Sequence, residues 1–153
     1  MAESDVRFDR VNPSTDPELV CWAAELCIRE VEGIEPTAAE VAQLTTAQVT
    51  GERAVYAVCD DGVPVAAAIA IHNVGDGRTE LLVLATQPGR RGRGYGRAVI
   101  RGLAAAAYAR GDSIIELCSS PDARGFYGHL GFYACGRGKS HLEAVATTLM
   151  ETL

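Results

Sequence analysis

The chain has 153 residues, of which 48% are apolar and 22% charged, as in one ordinary soluble globular domain long enough to bury its own core. Its net charge of −6 argues against general nucleic-acid binding, which needs a broad basic face. The longest apolar run, about nine residues around Val65 to Ile71, is far short of the ~20 needed to cross a bilayer, and the acidic start MAESDVRF lacks the basic and apolar regions of a secretory signal, so a cytoplasmic protein with no membrane partner is expected.

The elements follow in chain order. VRFDRV alternates and predicts a short strand. A helix follows, with Asp16 as N-cap, Pro17 in its first turn and Gly33 as its stop; Leu19, Trp22, Ala23, Leu26 and Cys27 recur at helical spacing. TAAEVAQLTTAQV predicts a second helix from a Thr37 cap. Two β-rich runs around Asp60-Asp61-Gly62 predict a hairpin. RTELLVLAT reads as a central strand buried on both faces. RAVIRGLAAAAYARG is a helix ending at Gly111, SIIELCSS a strand, and PDARGFYGHL a short helix with Pro121 at its start. FYACG and HLEAVATTLM read as two closing strands, the last of which could pair across a homodimer. The order β-α-α-β-β-β-α-β-α-β-β, without repeat or linker, predicts one α/β domain of the α+β type spanning residues 1–153. Thr79 to Cys118 forms a β-α-β unit whose strands should be parallel.

The stretch RRGRGYGR, Arg90 to Arg97, is the chemically loaded part. Five of the 14 basic residues (Arg90, Arg91, Arg93, Arg97, Arg101) fall within twelve positions, between a buried strand and a helix start. Backbone N–H groups are unpaired there and the helix dipole is positive. Gly92, Gly94 and Gly96 let a ligand approach the main chain, and arginine adds bidentate phosphate donors. The combination reads as a pyrophosphate site. A P-loop is excluded, because GRGKS (Gly138-Lys139-Ser140) would need glycine at position 133, which is Tyr133. The dinucleotide fingerprint fails as well, since Arg97 and Val99 occupy its third-glycine positions. The remaining alternative is a solvated strand-to-helix turn.

The five cysteines are scattered, without metal spacing, and read as thiols in a reducing compartment.

Arg91-Gly92-Arg93-Gly94-Tyr95-Gly96 resembles the [QR]-x-x-G-x-[GA] signature of the GCN5-related N-acetyltransferase superfamily, and SSPDARGFYGHLGF resembles its second motif, a short helix ending in FY..LGF. The resemblance covers almost the whole chain in element order. It implies a mixed, mostly antiparallel sheet flanked by helices and acetyl-CoA as cosubstrate. Main-chain amides from Gly92 to Arg97 would hold the pyrophosphate, Arg90 or Arg93 would meet the 3′-phosphate, and Leu84, Ala85 and Thr86 would pair with the pantetheine arm. The Leu84 N–H would polarise the thioester carbonyl. Ser120 stands where the family often has asparagine.

Acyl transfer to an amine needs a neutral nucleophile, a stabilised oxyanion and a proton for the departing thiolate. No Ser-His-Asp or Cys-His arrangement is visible in the sequence, so direct attack in a ternary complex is expected. Tyr127 matches the family's acid, a phenol near pKa ~10. Glu80, fourteen residues before Gly94, has the spacing of the family's strand base. His72 is a lesser base, and Cys118, at the end of the strand beside the expected cofactor, reads as a buried thiol, with a nucleophile as the alternative. His129 and His141 read as surface or structural, and Phe126 and Leu130 as core. The acceptor is a small-molecule or peptide amine. Glu30, Glu32, Glu35 and Glu40, at a pocket rim beneath the first two helices, would favour a cationic one. Two other classes stay open: a non-catalytic acyl-CoA-binding sensor of the same fold, and an RNA-binding module built on the Arg/Gly cluster.

Overall fold

Local sequence signals set the elements of the computed structural model, which describes residues 5–33, 35–49, 53–136, 138 and 140–153. The order is β1 (Val6–Arg10), α1 (Pro17–Glu32), α2 (Ala38–Val49), β2 (Ala54–Asp60), β3 (Val63–Ile71), β4 (Arg78–Thr86), α3 (Tyr95–Ala109), β5 (Ile114–Cys118), α4 (Arg124–Leu130), β6 (Tyr133–Ala134), β7 (His141–Val145) and α5 (Ala146–Thr152). The strands form one seven-stranded mixed sheet, β1-β2-β3-β4-β5-β7-β6, mostly antiparallel. The expected fold class and the expected parallel pairing of β4 with β5 are both present. No helix among the described residues is long and apolar enough to cross a membrane.

The chain divides into two compact units, Met1–Ala70 with Val83–Val99, and Ile71–Leu82 with Ile100–Leu153. In the first, α1 is capped as read: the Asp16 carboxylate accepts from Leu19 N–H at 3.2 Å, and Gly33 donates to the Arg29 carbonyl at 3.0 Å. Thr37 and Glu40 form a reciprocal capping box at the start of α2, each side chain accepting from the other's backbone N–H at 3.2 Å. The β2–β3 hairpin turns through Asp61 (φ 50°) and Gly62 (φ 81°), the two left-handed positions of a two-residue turn. Val20, Ala23, Ala24 and Cys27 of α1 and Val55, Val58, Val65 and Ile69 of the strands are buried.

In the second unit, Ile100, Leu103, Ala104 and Ala107 give α3 one fully buried stripe, with Ile115 and Leu117 of β5 buried as well. Four sequence expectations need correction. First, β4 is not buried on both faces: Thr79 and Leu81 are buried, whereas Glu80 and Leu82 are half-exposed, as in a strand with one polar face. Second, the β6 strand is only two residues long. Third, α4 begins at Arg124 rather than Pro121, because Ser120 closes a turn onto the Ala123 N–H with its carbonyl (3.2 Å) and hydroxyl (3.3 Å). Fourth, HLEAVATTLM is a strand only to Val145. Beyond it the buried positions are Ala146 and Leu149, a helical spacing, and the Ala146 N–H bonds the Ser113 carbonyl at 2.8 Å. Strand β7 lies between β5 and β6, so it is not the sheet-edge strand through which a homodimer was expected to pair.

Candidate functional site

Glycines at a strand-to-helix junction are useful only if the backbone takes turns that other residues resist. In the first unit it does: Gly92 and Gly94 have φ of 78° and 82°, and a Cβ placed on either would meet nothing within 4 Å. Open space therefore lies in front of the loop. The Gln87 N–H bonds the Val65 carbonyl at 2.8 Å, Arg90 N–H bonds Gln87 O at 3.0 Å, and the first helical bond of α3 is Ala98 N–H to Gly94 O at 3.0 Å. Tyr95 and Gly96 thus open the first turn, where N–H groups have no carbonyl one turn back.

Two motif side chains brace the loop. Arg91 is ion-paired with Glu30 of α1, and the buried Tyr95 hydroxyl donates to the Asp60 carboxylate at the end of β2. Sequence reading placed Tyr95 at the cofactor through its motif position; its side chain is directed to Asp60, leaving its N–H as its contribution to the loop. The other Asp60 oxygen is buried without a partner, so the Tyr95 bond is this carboxylate's sole side-chain partner among the described residues. Tyr95→Phe is accordingly expected to cost about 1.5–3 kcal/mol, the range for a hydrogen bond to a charged group. A urea titration should show a lowered midpoint at unchanged slope. Arg93 is exposed, Arg90 half-exposed, and neither guanidinium has a partner among the described residues.

The expected acidic rim is already committed elsewhere. Glu30 pairs with Arg91, Glu35 with Arg29 at 3.3 Å, and Glu40 caps α2; the Glu32 side chain and Lys139 lie outside the described residues. A groove of ≈ 600 Å³ lies between α1 and the start of α2, and the carboxylate lining it is Glu25, which is not among the glutamates expected at the rim. A second groove of ≈ 400 Å³, near the start of α1, is lined by Glu18, Leu19 and Trp22. On β4, Leu84 and Thr86 are half-exposed and Ala85 is buried. The β4–β5 ladder covers only Arg78–Leu81 opposite Ile114–Leu117, so Leu84 to Thr86 lie beyond it.

In the second unit, Tyr127 is buried on α4, edge-on to Phe126 (5.1 Å) and Phe132 (5.6 Å). Burial pushes its phenol up to about 12, above the value near 10 expected from sequence. Its hydroxyl has no hydrogen-bond partner among the described residues. Phe126, read as core, is exposed; Phe132 is the buried ring. The Ser120 hydroxyl serves its own turn.

Glu80 is half-exposed and sits in a cross-strand row, opposite Glu116, which is opposite Glu143. Arg78 holds the last two, at 3.4 and 2.6 Å, and Glu80 has no ion pair among the described residues. His72 is anchored: its Nδ1 lies 3.0 Å from Thr79 Oγ1, which donates to the buried Asp112 at 2.7 Å. Asp112 also accepts from the Asn73 N–H at 2.9 Å. Thr79 spends its one proton on Asp112, so the His72 Nδ1 is the donor in their contact. This chain ties the β3–β4 turn to Asp112, two residues before β5.

Sequence reading found no Cys-His pair, and tertiary structure makes one: Cys118 Sγ lies 3.2 Å from His141 Nε2. Cys118 is exposed rather than buried. Cys27 is the inert thiol, pushed up to about 12 by burial.

Comparison with known proteins bears on these features. A family model described as the acetyltransferase (GNAT) family matches residues 19–132. No curated protein matches the chain. Among solved structures, Tetrahymena GCN5 is similar at TM-score 0.70 and 12% identity, covering 95% of this chain and 96% of its own. The aminoglycoside 6′-N-acetyltransferase of Enterococcus faecium is similar at 0.71 and 18%, covering 92% and 97%. A GNAT family acetyltransferase of Brucella melitensis, in complex with acetyl-CoA, is similar at 0.69 and 17%, covering 94% and 89%. At these identities the likeness is one of fold.

Proposed function

Because this chain belongs to the acetyltransferase (GNAT) family, we propose that it is an acetyl-CoA-dependent N-acetyltransferase in which residues 1–153 act as one catalytic domain. The observation that carries the reading is the loop from Gly92 to Arg97. Positive-φ glycines face open space at a helix start, in a chain whose family uses an acyl-CoA donor. Its amides take the pyrophosphate, and Arg90 or Arg93 takes the 3′-phosphate. The backbone of Leu84, Ala85 and Thr86 pairs with the pantetheine arm, and the Leu84 N–H meets the carbonyl oxygen as it becomes an oxyanion. The Ser120 hydroxyl, which accepts from the Ala123 N–H, keeps its own proton for a hydrogen bond to the cofactor.

The acceptor is a primary amine, carried by a small molecule or a peptide, with its body in the groove lined by Glu25 and Val41. The neutral amine attacks the thioester carbon, Glu80 takes the amine proton, and the C–S bond breaks. The proton lost by nitrogen is the one the sulfur finally carries. Tyr127 at about 12 is a weaker acid than a thiol, so its phenol assists by donating a hydrogen bond to the departing sulfur rather than by giving its proton away outright.

The test is release of free thiol from acetyl-CoA across a panel of amines. Turnover with at least one primary amine is expected. Glu80→Gln should lower kcat/KM for that amine by about 10²-fold while leaving the affinity for coenzyme A unchanged. Coenzyme A binding with no turnover on any amine would overturn the enzyme in favour of a sensor.

A further inference from the structure

Successive side chains of a strand alternate between faces, so Glu116 and Cys118 share one face of β5, and their register partners Glu143 and His141 share it on β7. This face carries a second chemical group beyond the glutamate row. Cys118 ends β5, is exposed, and places Sγ 3.2 Å from Nε2 of the half-exposed His141.

The backbone fixes both partners. Ser119 N–H bonds the Ser140 carbonyl at 2.8 Å, and His141 N–H bonds Gly138 O at 3.3 Å. The His141 carbonyl accepts from the Cys135 N–H at 3.4 Å and from its thiol at 3.7 Å. Of the ring's two nitrogens it is Nε2 that faces the sulfur. A thiol within hydrogen-bond reach of an imidazole is a nucleophile with its base. The mechanism proposed above uses neither group.

We propose that Cys118, with His141 as its base, is a covalent acyl-acceptor site: the thiol takes the acyl group of a small thioester and becomes a thioester itself. The acyl class rests on the acetyl-CoA reading; the nucleophile-base geometry does not. The step balances without any redox partner. His141 Nε2 takes the Sγ proton and sulfur adds to the thioester carbon. The donor's C–S bond then breaks, and the departing thiolate recovers the proton from Nε2. The protein's own thiol is thereby a second acceptor, separate from the amine.

The experiment uses the full chain and S-acetyl-N-acetylcysteamine, a thioester with no nucleotide, in the absence of amine. Peptide mass mapping should find one acetyl group on the peptide containing Cys118, removable by neutral hydroxylamine. Cys118→Ser should lack this label. Cys27, held near 12 by burial, should stay unlabelled in every sample. His141→Gln should slow labelling of Cys118 by at least about tenfold. Should that variant fail to fold, the unmodified protein decides alone: Cys118 must acetylate at least about tenfold faster than free N-acetylcysteine at the same pH. An unchanged rate in folded His141→Gln, or labelling spread over the cysteines at the free-thiol rate, overturns the proposal. Calorimetry with coenzyme A on the same protein separates the two readings. Heat without a Cys118 label sinks only the covalent site, and a label without heat sinks only the donor reading.

Discussion

Gly94→Glu is expected to weaken coenzyme A binding by at least about 100-fold while the protein stays folded. A Cβ at this position meets nothing within 4 Å, so the first side-chain atom is placed without a clash. The structural cost is confined to placing an L-residue at φ 82°, about 1–2 kcal/mol, against a total stability of about 5–15 kcal/mol for a domain. Binding suffers for a different reason. The new carboxylate occupies the open space in front of the helix start where the diphosphate is proposed to sit. A like-charge pair about 4 Å apart near a protein surface repels by about 4 kcal/mol. Gly94→Ala imposes the same backbone strain without the charge and should bind coenzyme A nearly as the unaltered protein does. Calorimetry on both variants, with a thermal melt for each, separates strain from electrostatics. Equal affinity in Gly94→Glu and the parent protein would remove the phosphate role from this loop.

Tyr127→Phe should lower kcat by about 10²-fold with the KM for acetyl-CoA unchanged. The substitution is mild for the fold. The hydroxyl has no protein partner to lose among the described residues, and the ring keeps its edge contacts with Phe126 and Phe132. The pH profile supplies a second, independent readout. The hydrogen-bond donor is the neutral phenol, which is lost only as pH rises through its pKa. Burial pushes that value up to about 12, so kcat should show no alkaline fall from tyrosine ionisation below about pH 11. A fall near pH 10 that disappears in Tyr127→Phe would show that the phenol is better solvated than its packing implies.

Much of the architecture is written in short-range signals. Asp16, Thr37 and Gly33 mark helix ends because caps act within a few residues, and Asp61-Gly62 marks a hairpin because only certain residues accept positive φ. The same holds for the glycine loop, whose backbone requirement is local. The last segment is ambiguous in sequence because HLEAVATTLM is apolar at both strand and helix spacings. What settles it is the bond from Ala146 to Ser113, more than thirty residues away. Glu30 reads as a rim carboxylate for a comparable reason: its partner, Arg91, lies 61 residues away in the sequence.

The sequence by itself therefore determined the element order as far as β7, the capped helices, the hairpin turn, the glycine-lined loop and the family, because each depends on residues near one another in the chain or on a compact motif. Only the tertiary structure decided which distant side chains meet. It directs Tyr95 to Asp60, joins Thr79 to Asp112 and His72, lines up Glu80, Glu116 and Glu143, and sets Cys118 beside His141. For the glutamate row and the Cys118–His141 pair the physical reason is register: strand pairing brings together residues whose separation in sequence carries no information about their contact, and one residue of slip would turn these side chains to the opposite face.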